Sequence, residues 1–252
     1  MIAANDDVVK SAGRVFAVLE LFDEARTPLS ATEVVRRLAF PQSSTVALLK
    51  TMVSLGYLAF DQFDRRYLPT MRVPMLGRWL MDAAGADGSL LHLIRTISSD
   101  TAETVTLSAQ TDLTMQFLHV ERGTKPLTLT VNAGDRTALL TTVIGIVALS
   151  GRPDQTIARY VGRANKQIRD LAQHADQAAV MKQVTEVRRR GFGVGDSEYS
   201  AGIGVLAWLL PPLSGDRRVV LSVAGAVDGI REAREHIIES VNAAMKVHFD
   251  AG

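Results

Sequence analysis

Between residues 28 and 69 the apolar positions of the chain change period twice. Val34, Val35 and Leu38 stand at helical spacing behind Ser30, and Glu33 follows that serine by three, the spacing of a capping box. A helix is expected to begin near Ala31. Phe40 and Pro41 interrupt it, because the residue before a proline is driven out of the helical region. Thr45, Leu48, Leu49 and Met52 then occupy i, i+3, i+4 and i+7 of a second helix, and Gly56 supplies its end signal. Residues 57–61 and 67–69 flank a polar tip at 62–66 and read as a tight hairpin. Helix, turn, helix and hairpin, in that order, make a winged helix-turn-helix, a device that lays its second helix in the major groove of DNA. The outward face of that helix carries Ser43, Ser44, Ala47, Lys50 and Thr51, small or polar residues able to approach base edges and phosphates. In the wing, Arg65 and Arg66 are expected to reach the DNA backbone or the minor groove.

The remaining pattern is longer and mixed. Pro74 opens a stripe of Met75, Trp79 and Leu80 that Gly85 and Gly88 break, which predicts a linker helix within 71–88. Leu90, Leu93, Ile94 and Ile97 continue at helical spacing behind Ser89, a plausible cap. The period then falls to two. Residues 103–110, 114–122 and 127–131 are short β-rich runs, with Thr111 and Asp112 between the first two, as expected of neighbouring antiparallel strands. An apolar helix follows near 142–149 and polar helices from 154 to 190. Strands return at 192–194, 205–210 and 219–223 before a final amphipathic helix over 228–247. Strands bracketed by helices predict an α+β fold with a mostly antiparallel sheet. The expected division is 1–70 for the winged helix, 71–88 for the linker and 89–252 for the second domain.

Composition narrows the function classes. With 252 residues, 47% hydrophobic and 22% charged, the chain can bury a well-packed core in one or two domains. No apolar run approaches the ~18 residues of a membrane span, and the N-terminus lacks the apolar core of a signal peptide, so a cytoplasmic product is expected. The absence of cysteine excludes disulfides, thiolate zinc sites and a cysteine nucleophile. Residues 1–80 hold ten Lys and Arg against eight Asp and Glu, a balance of +2, and the other 172 residues carry −1. Neither part is the strongly basic module that non-specific phosphate binding favours. A second class therefore stands beside the DNA-binding one: a small-molecule-binding or hydrolytic protein whose N-terminal helices serve oligomerisation.

Other constellations carry little chemistry. Residues 191–196, GFGVGD, follow a helix and open a strand, whereas a dinucleotide site needs strand, turn, helix, so they read as a helix cap and turn. Arg188, Arg189 and Arg190 sit at a helix C-terminus, where cations complement the dipole, and read as a solvated end. The five histidines share no ligand spacing. No Gly-x-Ser-x-Gly elbow is present. Neither catalytic residues nor a metal or cofactor site are expected.

Four separated blocks carry a family resemblance. VKSAGRVFAVLELF, LSATEVVRRLAFPQSSTVALLKTM and LGYLAFDQFDRRYLPTMRVPMLG together resemble the DNA-binding domain of the isocitrate lyase regulator (IclR) family of bacterial transcription factors. GDRTALLTTVIGIVALS, RRRGFGVGDSEYSAGIGVLA and VVLSVAG are similar to successive segments of that family's C-terminal domain, so the likeness covers essentially 8–250. It implies a repressor or activator that binds double-stranded operator DNA through the winged helix. It also implies a GAF-like effector domain for a small organic acid, and assembly into dimers and commonly tetramers. The helix at 74–84 would then be the lever between ligand and DNA.

Departures from the family pattern sharpen these expectations. Val46 and Ala47 replace a large polar or basic pair, which leaves Gln42, Ser43, Ser44, Lys50, Arg65 and Arg66 for DNA, with Val46 or Ala47 against a thymine methyl. In the effector domain the resemblance places a carboxylate at the main-chain amides of Val143, Ile144 and Gly145, where a helix N-terminus favours an anion. Asp196 belongs to the Asp-x-Glu stretch placed with that pocket. Gly195, Val205 and Ala224 stand where polar residues are usual, Ser222 is kept, and Trp208 replaces a small residue. The implied cavity is apolar and suits an aromatic or hydrophobic acid better than a small oxo-acid.

Overall fold

The computed structural model describes residues 9–77, 89–125, 131–168, 170, 174–196, 202–212 and 218–249. The chain divides between residues 79 and 80 into two compact units.

In the first unit α1 (Lys10–Ala25) is followed by β1 (Leu29–Ser30), α2 (Ala31–Leu38), α3 (Gln42–Ser54), β2 (Leu58–Asp61), β3 (Arg66–Pro69) and the short α4 (Arg72–Met75). Helix α2 starts where its capping box places it. Ser30 Oγ accepts from the Glu33 amide at 3.3 Å, and the Glu33 carboxylate accepts from the Ser30 amide at 2.8 Å. Ala39 ends α2 in the left-handed conformation, and Pro41 precedes the first turn of α3. Thr45, Leu49 and Met52 turn inward to Val18 and Phe22 of α1, Val34 of α2 and Leu58 and Tyr67 of the hairpin. Full burial of Leu49 alone contributes about 1.5–3 kcal/mol. The two-residue strand β1 pairs with β3, giving a three-stranded sheet where the sequence predicted a simple hairpin. Of the expected linker helix, α4 is described, and residues 78–88 lie outside the described residues.

The second unit is built on a six-stranded antiparallel sheet. Its strands are β4 (Thr104–Thr111), β5 (Thr114–Glu121), β6 (Arg136–Ala138), β7 (Gly193–Asp196), β8 (Ile203–Leu209) and β9 (Val219–Ala226), in the spatial order β6-β5-β4-β9-β8-β7. The helices are α5 (Ser89–Thr101), α6 (Val143–Ser150), α7 (Asp154–Gln167), α8 (Gln177–Arg190), α9 (Val227–Glu232) and α10 (Arg234–Phe249). This is the predicted α+β class with an antiparallel sheet. Alternation along the strands divides the core in two. Val205, Ala207, Val220 and Ala224 pack with Ile144, Ile146 and Val147 of α6 and with Ile157, Val180 and Val184 of α7 and α8. Leu206, Trp208, Leu221 and Val223 pack on the opposite face with Leu93, Ile94 and Ile97 of α5 and Ile237 and Val241 of α10.

Several sequence expectations are adjusted. The third β-rich run falls at 127–131, of which 127–130 lie outside the described residues. The strand next to β5 is β6, three residues long, which no alternation announced. The final helix is two, divided at Ala233.

Candidate nucleic-acid interface and effector site

On the first unit, Gln42, Ser43, Ala47 and Lys50 of α3 are exposed, and Ser44 and Val46 are half-buried. Lys50 and Val46 border a groove of about 400 Å³ whose other wall is the wing, through Phe60, Arg65 and Tyr67. Recognition helix and wing thus face one space, with a cation from each. Ser44 is engaged internally: its Oγ donates to the Pro41 carbonyl at 3.0 Å and accepts from Arg14 Nη1 at 3.3 Å. Arg14, which also lies 5.0 Å above the Phe40 ring, brings a cation to the start of α3 from another helix. No spacing within α1 points to it.

Arg65 and Arg66 differ in role. Arg65 is exposed at the end of the tip, in the left-handed region with φ 52°. Arg66 is engaged inside the unit through one nitrogen: its Nη1 donates to the Pro28 carbonyl at 2.7 Å and to Glu33 Oε2 at 3.2 Å. The reason is the β period, which turns successive side chains to opposite faces. Arg66 therefore completes the capping network of α2. The Glu33 carboxyl is held below its ordinary range, first by the Ser30 amide, then by the Ser30 hydroxyl and the charges of Arg66 and Arg37.

On the second unit the residues expected to hold an acid begin at the start of α6. Thr142 caps the helix, and its Oγ1 accepts from the Gly145 amide at 3.3 Å. Gly145 is therefore not a free donor. Its lack of a side chain serves packing, since a Cβ there would overlap the Leu139 backbone. The first-turn amides of Val143 and Ile144 are those the cap leaves over. Val143 borders an open groove of about 520 Å³ together with Ile146, Val187, Phe192, Gly195, Lys182 and Arg190. Glycine at 195 lets β7 approach α6, because a Cβ would stand 3.1 Å from Val143 Cγ2.

Ile144, Val205, Ser222 and Ala224 are buried and do not border that groove. Ser222 Oγ lies 2.8 Å from Thr106 Oγ1, and buried Thr104, Thr106 and Ser108 give β4 a polar run on the side of the sheet that Ser222 and Ala224 share. Thr106, which alternation had assigned only to a strand, is the polar partner the sequence did not single out. The Asp196 side chain lies outside the described residues. Trp208 is misplaced in the sequence reading. It is 3% exposed, on the α5 and α10 face, with its ring stacked 5.8 Å from Phe192. Positions 205 and 208 are an odd number apart in one strand, so they cannot line the same side of the sheet.

The arginine run is also more than a solvated end. Arg188 donates to the Ser150 and Arg152 carbonyls at 3.0 and 2.6 Å and to Asp154 at 2.8 Å, tying the end of α6 to the start of α7. Arg189 and Arg190 both pair with Glu186, whose carboxyl is held low chiefly by the Arg189 hydrogen bond. Gly191, at φ 81°, caps α8 as expected of a helix end. Among the described residues no three His, Asp or Glu side chains converge as metal ligands, and no helix is long and apolar enough to cross a membrane.

Comparison with known proteins places both units. Residues 11–62 match the IclR helix-turn-helix domain, and residues 89–247 match the bacterial transcriptional regulator IclR C-terminal domain. The HTH-type transcriptional regulator KdgR of Dickeya chrysanthemi is 25% identical over 80% of this chain and 66% of its own length. KdgR of Escherichia coli K12 is 24% identical over 98% and 94%. An IclR homolog from Microbacterium hydrocarbonoxydans, solved in complex with 4-hydroxybenzoate, shares the fold at a TM-score of 0.58 and 17% identity, covering 96% of this chain and 100% of that one. With a DNA-reading winged helix followed by a helix-flanked antiparallel effector domain, the chain belongs to the IclR family of bacterial transcriptional regulators.

Proposed function

We propose that the chain is a homodimeric regulator that senses an organic acid with an aromatic or similarly apolar body and adjusts its hold on a pseudo-palindromic operator in response. The observation that carries this reading is the start of α6. There the Thr142 cap leaves the Val143 and Ile144 amides over, and the neighbouring groove has apolar walls from Val143, Ile146 and Phe192, with Lys182 at its edge beside the Arg190–Glu186 ion pair. A carboxylate gains from helix-terminal donors, while a ring gains from apolar area at ~25 cal/mol per Å². A small oxo-acid has no such apolar body to lay against those walls. The 4-hydroxybenzoate complex of the Microbacterium hydrocarbonoxydans homolog supports the same ligand class. Dimerisation follows from charge. A winged helix of nearly neutral balance binds DNA weakly alone, and two copies on symmetric half-sites gain effective concentration.

Thermal denaturation with 4-hydroxybenzoate, benzoate, pyruvate and glyoxylate tests the effector class. A ligand at about 100 times its Kd adds ~2.7 kcal/mol, which is readily seen as a rise in Tm. Aromatic acids are expected to raise Tm and change operator affinity, and the oxo-acids to do neither. Stabilisation by the oxo-acids alone overturns the apolar reading, and no response to any of the four removes acid sensing of this class from the second unit.

A further inference from the structure

Phe63 stands at the tip of the wing, between β2 and β3, with 97% of its surface open to solvent. Single exposed apolar residues are common, so the placement of this ring decides its meaning. The tip is built stiff. Asp61 Oδ1 accepts from the Phe63 amide at 2.8 Å and from the Asp64 amide at 3.2 Å, and Arg65 closes the turn in the left-handed region. At its base the cross-strand pair Phe60 and Tyr67 hold their rings 4.7 Å apart. An aromatic ring is therefore presented on a preorganised hairpin.

Charge at the tip points away from simple phosphate anchoring. Asp61 and Asp64 offset Arg65 and Arg66, and Arg66 is turned back to Pro28 and Glu33. The electrostatic gain from bringing this tip to a DNA backbone is limited to the exposed Arg65, about one phosphate contact. The gain open to the ring is large, because an apolar side chain placed between base steps leaves water and stacks. On α3, Val46 and Ala47 have no donor or acceptor with which to read bases, so readout through DNA deformability would supply specificity that direct contacts there do not.

We propose that Phe63 is a wedge that enters the minor groove beside each half-site, inserts partly between two base pairs and bends the operator, with Arg65 following it into the groove. The proposal rests on the DNA-binding role of the winged helix and adds to it a point of insertion.

The test uses the full chain and DNA from upstream of its own coding region, with the bound segment located by footprinting. 2-Aminopurine is placed at successive positions across the flanking minor grooves, and the bend is followed by end-to-end energy transfer. Wild type should raise 2-aminopurine fluorescence at one step per half-site. F63A should lose that rise, bend the DNA less and bind about tenfold or more weakly at an unchanged salt slope, since no phosphate contact is removed. F63L should retain part of the bend. Because the side chain is exposed, both variants should keep the wild-type Tm. F63A that bends and binds DNA as wild type does overturns the wedge. So does a change in sedimentation of DNA-free F63A, which would place the ring against a second copy. Wild type that binds without any 2-aminopurine response sinks the wedge alone, whereas wild type that does not bind DNA sinks the underlying reading as well.

Discussion

Single side chains in this protein acquire their roles from what their neighbours leave unpaired. Lys50 and Arg65 are exposed on either side of one groove, while Arg66, one residue on, is held through Nη1 by Pro28 and Glu33. Replacing Lys50 and Arg65 together with alanine should flatten the salt slope of DNA binding by up to about two units. R66A should leave that slope unchanged and loosen α2 instead. Binding titrations across a salt series separate the two, and equal slopes for the double variant and wild type would remove Lys50 and Arg65 from the interface. Glu33 adds a pH dependence. Its carboxyl titrates below the ordinary range because it accepts from Ser30 and lies by Arg66 and Arg37. A carboxyl depressed on folding stabilises above its unfolded pKa, and that contribution disappears as pH falls through the lowered value. E33Q should thus weaken protection of the α2 amides near neutrality and lose less on acidification than wild type does, as read by hydrogen exchange. S30A, which removes the cap itself, should cost about 1 kcal/mol. An acid response in E33Q equal to that of wild type would assign the pH dependence elsewhere.

At the scale of elements, what the sequence revealed was what local spacing controls. The box of Ser30 and Glu33, the stripe of Thr45, Leu49 and Met52, and Gly191 after α8 each place a boundary through contacts within a few residues. The errors arose where the facing of a strand or a distant partner decides. Val205 and Trp208, which the family pattern puts in one cavity, are separated by the pleat. Arg14 reaches Ser44 from another helix, and Thr106 meets Ser222 across 116 positions of sequence, so neither had a local signal. The corrected position of Trp208 has a measurable consequence. W208A should destabilise the second unit by about 3–5 kcal/mol, the usual cost of emptying an aromatic core site. Because Trp208 meets the groove only through the ring of Phe192, the folded fraction should bind aromatic acids more weakly but still prefer them to oxo-acids in thermal-shift screens. A reordering of that preference would return Trp208 to the effector cavity.

For the whole molecule the decisive quantity is the coupling between effector and operator. A ligand shifts operator affinity only by the difference in its own affinity for the two states of the protein, and the effect is reciprocal. If an aromatic acid at the start of α6 weakens operator binding by some factor, saturating operator must weaken binding of that acid by the same factor. Typical coupling of about 1–3 kcal/mol corresponds to roughly 5–150-fold, well within reach of fluorescence titration. The acid's Kd should therefore be measured on the free protein and on the operator complex, and the operator's Kd with and without saturating acid. Agreement of the two ratios, away from unity, would establish a ligand-operated switch in one assembly. Two ratios of one, with the acid still bound, would mean that the groove at α6 holds a ligand to which the DNA-binding unit is indifferent, and would leave the second unit's contribution to regulation in holding two winged helices together on a symmetric site.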